Sequence, residues 1–363
     1  LGLCLVSGQV WGQSTADLDE KQRTLDNKWQ ERFWSYLESS EYPQLRTRAA
    51  IRLIRTGDPQ AVEQGEQLIN ELLDKPNPDA ASLWLLASDC QWRESAEWCQ
   101  PGGVYELLTQ ADPNNAAVVM LRFSQVTFGE DVLLDTEANR QLLSTASQAE
   151  HFDVYWGRGA DKLFEEALKF VEINPMQILP EFENEAQRFG LTPHKAAYYG
   201  LMTLTLTDPM VGYGNMTELC RLQARNRRSE GMIACKKLAG TLRNHGYSMM
   251  TRFIGYALEK AMLTELDPND PGIKRWRNRQ YVFSVMQTCF QPYWQVNMEL
   301  SSEDVDTSMM NWNKNISELG EWEGTRLSAF EDYAAFPEHF IVNPADCDKL
   351  KNLDDEAMEN LIN

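Results

Sequence analysis

The sequence has little basic charge, little histidine and no long apolar run beyond its first dozen residues. Its 34 Lys and Arg stand against 54 Asp and Glu, a formal net charge of −20 over 363 residues. That balance opposes attraction to phosphate backbones and anionic lipid heads, so neither nucleic acid nor a membrane surface is expected as a partner. After Gly12 no apolar stretch approaches the roughly 18 to 20 residues needed to span a bilayer, so no transmembrane segment is expected in the mature chain. The four histidines, His151, His194, His245 and His339, are far apart in sequence and do not form a metal-ligand pattern. A Walker loop, a complete dinucleotide fingerprint, a Gly-x-Ser-x-Gly elbow and a His-Glu-x-x-His pair are all missing. No metal and no cofactor are therefore expected. The two Gly-x-Gly fragments, Gly157-Arg158-Gly159 and Gly212-Tyr213-Gly214, follow no convincing strand and read as turns.

What is present points to export. Leu1 to Gly12 carries no charge and turns polar at Gln13, as the back half of a signal peptide does. Val10 and Gly12 are small enough for the −3 and −1 positions of a cleavage site, which places the cut before Gln13. Setting aside Cys4 in that leader leaves Cys90, Cys99, Cys220, Cys235, Cys289 and Cys347, an even number, as a bridged exported chain requires. Six cysteines allow about 15 connectivities. Their grouping into three neighbourhoods favours sequential pairing: Cys90 with Cys99, Cys220 with Cys235, and Cys289 with Cys347. No pair has the Cys-x-x-Cys spacing of a redox motif or zinc knuckle. A periplasmic or secreted location is expected.

With 43% hydrophobic residues the chain can bury a full core. Its apolar residues recur at helical spacing almost throughout. From Ala16 to Ser39, Leu18, Leu25, Trp29, Phe33, Tyr36 and Leu37 line one side. Further helices are expected over Pro43 to Thr56, Pro59 to Asp74 and Asp79 to Cys90, each bounded by Pro, Gly or Asp. The clearest pair runs from Ser229 to His245 and from an N-capping Ser248 through Met262, with Gly246 between them expected to take the left-handed cap conformation. Cys220 is placed to pin a third helix against Cys235. Period-two runs such as Leu201 to Leu206 and Phe340 to Val342 are short and lie in helical context or beside prolines, so no sheet is expected.

One phrase recurs. Leu107-Leu108-Thr109-Gln110-Ala111-Asp112-Pro113-Asn114-Asn115-Ala116 and Leu263-Thr264-Glu265-Leu266-Asp267-Pro268-Asn269-Asp270-Pro271 both end a helix in Asp-Pro-Asn. The phrase resembles the end of the second helix in tetratricopeptide-type repeats, and Leu121 and Gly129 follow the first copy as in that family. The resemblance covers about 60 residues from Cys90 to Gly129, with no stable 34-residue period between the copies. It implies an all-α fold: antiparallel helix pairs stacked as an irregular right-handed array, stapled by disulfides, of a kind that binds peptides or proteins on a concave face. The cysteine pairs together with the Asp-Pro-Asn-Asn turn also resemble exported proteobacterial helical proteins with no assigned activity.

The proline- and glycine-punctuated stretch from Ile173 to Pro193 marks a domain boundary, giving an N-terminal helical-hairpin domain over 13–180 and a C-terminal helical domain over 181–363. The acidic end from Asp346 to Asn363 reads either as an amphipathic helix docked through Cys347 or as a loose tail. Carboxylate pairs such as Glu165 with Glu166 and Glu181 with Glu185 abound, as they must in so acidic a chain. Asn215-Met216-Thr217 and Asn315-Ile316-Ser317 match the glycosylation acceptor pattern. Two basic clusters stand out: Arg221, Arg225, Arg227 and Arg228 between two cysteines, and Lys274, Arg275, Trp276, Arg277 and Arg279 after Pro271. In the second, Arg275 and Arg279 share a helix face and Trp276 is suited to stack on a guanidinium or a ligand ring. Lys274, Arg275, Trp276 and Arg279 are thus the candidate binding residues. Trp84, Trp92 and Trp98 gather around the first cysteine pair as core or as a sugar platform. The sequence favours a non-catalytic scaffold that binds a protein or peptide partner in the cell envelope. The other reading is an envelope hydrolase or lyase using two carboxylates across a helical cleft.

Overall fold

The computed structural model describes residues 14–90, 96–127, 133–175, 177, 179, 211–292, 303–353, 357 and 358; the chain is all-helical, and no strand occurs among these residues. The expected leader, Trp92, Gly129, Glu181 with Glu185, His194 and Leu201 to Leu206 lie outside them.

Side-chain chemistry starts the helices. The first, α1, runs from Ser14 to Glu38. Prolines open α2 (Pro43–Thr56) and α3 (Pro59–Leu73), where the missing N–H is one that no helix could have used. Asp58 caps α3 by accepting from the Ala61 amide, and Asp79 caps α4 (Ala80–Asp89) by accepting from Ser82. Next come α5 (Val104–Ala111), α6 (Ala116–Val126), α7 (Glu137–Ala146) and α8 (Ala160–Ile173). After residue 210 follow α9 (Tyr213–Arg225), α10 (Ser229–His245), α11 (Met249–Leu266), capped by Ser248, and α12 (Pro271–Cys289), capped by Asp270. The chain closes with α13 (Glu303–Leu319), α14 (Glu321–Ala335) and α15 (Pro344–Lys349).

The chain divides into two units, each assembled from separate stretches of sequence instead of meeting at one boundary after residue 180. One holds Leu1–Pro76, Gly159–Asp208 and Trp294–Asn313; the other holds Asn77–Arg158, Pro209–Tyr293 and Lys314–Asn363. The reason is visible in the first unit's core. Trp29, Phe33 and Leu37 form the apolar stripe of α1, and α8, far off in sequence, covers it with Leu163, Phe164, Ala167 and Phe170. The Phe170 ring meets Trp29, Phe33 and Tyr36 at centroid distances of 5.2, 5.1 and 5.5 Å. A linear cut would leave that stripe in water, a loss of roughly 1.5 to 3 kcal/mol for each large side chain exposed.

In the second unit the two Asp-Pro-Asn phrases adopt the same local structure. Asp112 and Asp267 end α5 and α11, their amides bonded to Leu108 O (3.0 Å) and Leu263 O (2.9 Å). Three residues on, Asn115 and Asp270 cap α6 and α12, accepting from the Ala117 and Gly272 amides. Cystine bridges join Cys90 to Cys99, Cys220 to Cys235 and Cys289 to Cys347, with Cα separations of 5.5, 5.7 and 6.1 Å. The second pins α9 to α10, and the third ties α15 to the end of α12. The acidic end is docked as far as it is described: Leu350, Leu353 and Met358 pack with Val282, Phe283, Met286, Phe290 and Trp322. Beside them Arg326 holds Asp348 through Nε (2.8 Å) and Nη2 (3.0 Å). That guanidinium, with Lys351, pulls the Asp348 carboxyl down to about 2.

Replacing Cys289 and Cys347 together by Ser opens a loop of 58 residues. Chain entropy sets the loss near 4 kcal/mol at most. Denaturant unfolding of this double variant is expected to show a lower midpoint, with the other two bridges intact by non-reducing mass spectrometry.

Candidate functional site

The most concentrated polar assembly in the second unit is built where residues 150–158 thread past two helix junctions. The His151 carbonyl accepts from Ala116 N (2.9 Å) at the start of α6, and Phe152 N donates to His245 O (3.2 Å) at the end of α10. Phe152 O in turn accepts from Tyr247 N (3.1 Å), and Tyr247 O from Trp322 N (3.2 Å) in α14. These backbone groups lie where helices have run out of internal partners, so the segment satisfies amides and carbonyls that would otherwise be buried unpaired. Two isolated parallel bridges, Asn115 with His151 and Phe152 with Gly246, are the result.

Gly246 differs from the sequence expectation. Its φ is −75° and ψ 131°, extended and not left-handed. Glycine is required there for space: a Cβ would stand 2.3 Å from Leu242 O and 2.6 Å from a Thr251 methyl. The close approach of Phe152 to the backbone decides the residue type, and helix capping does not.

Asn115 is the hub. Almost wholly buried, it donates from Nδ2 to Asp153 O (2.8 Å) and Asp112 Oδ2 (3.0 Å), and accepts on Oδ1 from Ala117 N (2.9 Å) and Asp153 N (3.0 Å). Asp112 also accepts from the Tyr155 hydroxyl (2.5 Å) and lies 3.2 Å from His151 Nε2. Burial, then the Asp112 bond, pushes the Tyr155 hydroxyl far above its ordinary value. Tyr155 itself takes a φ of 55°, a strained conformation for a bulky residue that this network holds in place. Burial raises the Asp153 carboxyl against the pull of Arg158, whose Nη2 lies 3.0 Å away. Arg158 also donates to Ser317 O (3.2 Å) and Glu318 O (3.3 Å) at the end of α13 and lies 4.9 Å from the Tyr247 ring centroid. The expected turn at Gly157-Arg158-Gly159 is present, both glycines having positive φ. Its arginine is the functional part, and no spacing rule singled it out.

A second buried carboxylate ends the network. Glu321 accepts from Met249 N (2.8 Å) at the first residue of α11, and burial raises it to about 6, the Met249 amide opposing. It also raises Tyr213, whose hydroxyl, pushed to about 12 chiefly by burial, pairs with Thr251 Oγ1 at 2.8 Å.

The other sequence candidates fall apart from this assembly. Glu165 pairs with Lys162 (3.2 Å) and Glu166 with Lys169 (2.8 Å), each on its own helix. Asn315 is buried and donates to Ser328 Oγ (2.9 Å), and Asn215 donates to Thr127 O (2.9 Å), so neither acceptor amide is presented to an enzyme. The first basic cluster is absorbed by acids. Glu265 takes Arg221 Nε (2.8 Å) and Arg225 Nε (3.1 Å), while Asp135 takes Arg228 (2.7 Å) and Arg140 (2.7 Å). Trp84 and Trp98 are core residues.

The second cluster is different. Lys274, Arg275 and Arg277 are exposed on α12, whereas Trp276 is buried. Arg243 and Arg279 approach its indole at 4.6 and 5.1 Å, and Tyr256 lies edge-on at 6.2 Å. The structure thus places Trp276 against protein guanidiniums, which leaves its ring turned inward.

Two substitutions probe the assembly. Asn115→Ala strands the Asp153 and Ala117 amides and is expected to destabilise by on the order of 3 kcal/mol in denaturant unfolding. Glu321→Gln tests the buried carboxyl. Its folded value, about 6, exceeds the ordinary 4.5, so its contribution to stability is full below the unfolded value and lost as pH rises through 6. The variant is expected to match the parent at pH ~4 and to exceed it by about 2 kcal/mol above pH ~7. Equal stability of the two proteins at both pH values would remove the assignment.

No protein-family model matches this chain, and no curated protein or solved structure is significantly similar to it.

Proposed function

We propose that this chain is an exported, non-catalytic helical scaffold that binds a protein or peptide partner in the cell envelope, in the periplasm or outside the cell. The observation that carries the reading is the exposed cationic start of α12 in a chain whose net charge is −20. The candidate residues Lys274, Arg275, Trp276 and Arg279 lie there, with Trp276 supporting the arginines from beneath. Three disulfides and the absence, among the described residues, of a helix long and apolar enough to cross a membrane are compatible with an exported chain. Repeated helix–Asp-Pro-Asn–helix junctions support a tetratricopeptide-like stacking of hairpins, an architecture suited to binding along helix faces.

The polar interior favours this reading over a carboxylate hydrolase. Asp112 and Asp153 are tied into the Asn115 network, and Glu321, the carboxyl whose value of about 6 would suit a general acid, is occupied by the Met249 amide.

Affinity capture of the mature protein from its native envelope fraction, with cross-linking and mass spectrometry, tests the proposal. A specific cross-linked protein or peptide is the expected result. No partner together with turnover of a peptidoglycan or polysaccharide panel would overturn it.

A further inference from the structure

The stretch from Pro271 to Met298 contains no Asp or Glu, although the chain's average would place about four there. Within it Lys274, Arg275, Arg277 and Arg279 come in six residues. Elsewhere on this unit the cations have carboxylates built in beside them, as Glu265 and Asp135 show for Arg221, Arg225 and Arg228. On α12 the complementary acids are missing from the helix itself.

The helix has two distinct faces. Gly272, Trp276, Phe283 and Met286 recur at three- and four-residue spacing and are buried. Lys274, Arg277 and Tyr281, at i, i+3 and i+7, form an exposed stripe with Arg275 at its side, and the Tyr281 side chain is 52% exposed. Arg277 makes no ion pair among the described residues. Lys260 of α11 extends the positive ground, its Nζ bonded to Gln280 Oε1 (3.0 Å) on α12. Asp270, the N-cap, is the acid at the same end, and its Oδ1 is taken by the Gly272 amide (2.6 Å). Lys274 and Arg275 stand close to the positive pole of the helix dipole, where cations are unfavourable to folding. Their placement is explained by attraction to something outside the helix.

We propose that this stripe is the docking site for an acidic peptide segment of the partner: a run of Asp and Glu side chains that meets Lys274, Arg275 and Arg277 and lays an apolar or aromatic group on Tyr281. The proposal rests on the scaffold reading and names its partner's chemistry. Trp276 is a positioning residue, whose indole fixes Arg279 and Arg243 from the buried side and does not touch the peptide. Guanidinium forks recognise carboxylates in pairs, and the exposed aromatic adds contact area at small entropic cost.

The test uses the full-length mature protein and a fluorescein-labelled peptide of alternating Glu and Ser, with its Gln counterpart as control, read by anisotropy. The Glu peptide is expected to bind at low ionic strength and to weaken at least tenfold by about 0.3 M salt, as screening requires. Reversal by K274E/R275E/R277E is expected to weaken binding at least tenfold, while K274R/R275K/R277K retains it. Because the reversal places acids near the start of α12, its melting temperature is expected to equal or exceed the parent's, which separates loss of binding from loss of fold. Equal binding of the Glu and Gln peptides, or Glu-peptide binding indifferent to the reversal, overturns the proposal. So does preference of the stripe for a sulfated polysaccharide or anionic phospholipid vesicles over the Glu peptide. If the partner captured by the parent is captured equally by the reversal variant, this site falls and the scaffold reading stands; if the parent captures none, the scaffold reading falls.

Discussion

Buried helix ends must find hydrogen-bond partners, and in the second unit one short extended segment supplies them. Between His151 and Tyr155 the chain bonds in turn to the start of α6, the end of α10 and, through Tyr247, the start of α14. Four sequence-distant helices are fixed by a few backbone bonds, each worth only about 1 kcal/mol net but costly to leave unmade. Asn115 is central because its amide imitates a peptide group, donating and accepting at once, and so joins the α6 cap to both polar atoms of Asp153.

This constraint explains where the polar residues went. Asp112, Asp153, Arg158 and Glu321 look like the ingredients of a catalytic site, being buried or half-buried, titratable and strained in places. Each has its bonding capacity used by backbone or by a neighbour in the same junction. The shifted carboxyl of Glu321 and the shifted hydroxyl of Tyr213 are consequences of holding α11 against α14 and α9 in a dry interior. Chemistry with the outside is left to groups that the junction does not use, and the exposed stripe of α12 is the clearest of these.

Much of the fold was legible because helix signals are local. Proline at the first turn, Asp, Asn or Ser at the cap and apolar residues three and four apart gave α2, α3, α4, α10 and α11 nearly to the residue, since each signal acts within a turn or two of itself. Sequential cysteine pairing followed for the same reason: the partners sit on adjacent helices. The site was less legible. Lys274 and Arg275 stood out by composition, but Trp276 points into the core, and Arg277 and Tyr281 gain their meaning only once the buried face of α12 is known. His151 and Arg158 looked like an isolated histidine and a turn residue, because their partners, Asp112, Asp153 and the end of α13, lie about 40 residues or more away, or across a turn no pattern describes.

The sequence by itself determined the helices, their caps, the repeated Asp-Pro-Asn junction and the even set of bridging cysteines, because these depend on residues within a few positions of one another. Tertiary structure alone decided how the chain divides, since the stripe of Trp29, Phe33 and Leu37 is covered by a helix that lies far along the sequence and the expected boundary cannot supply it. It also decided why residue 246 is glycine and what the polar residues of 112–158 do. Steric room and hydrogen-bond satisfaction are properties of the packed interior, and a linear pattern does not carry them.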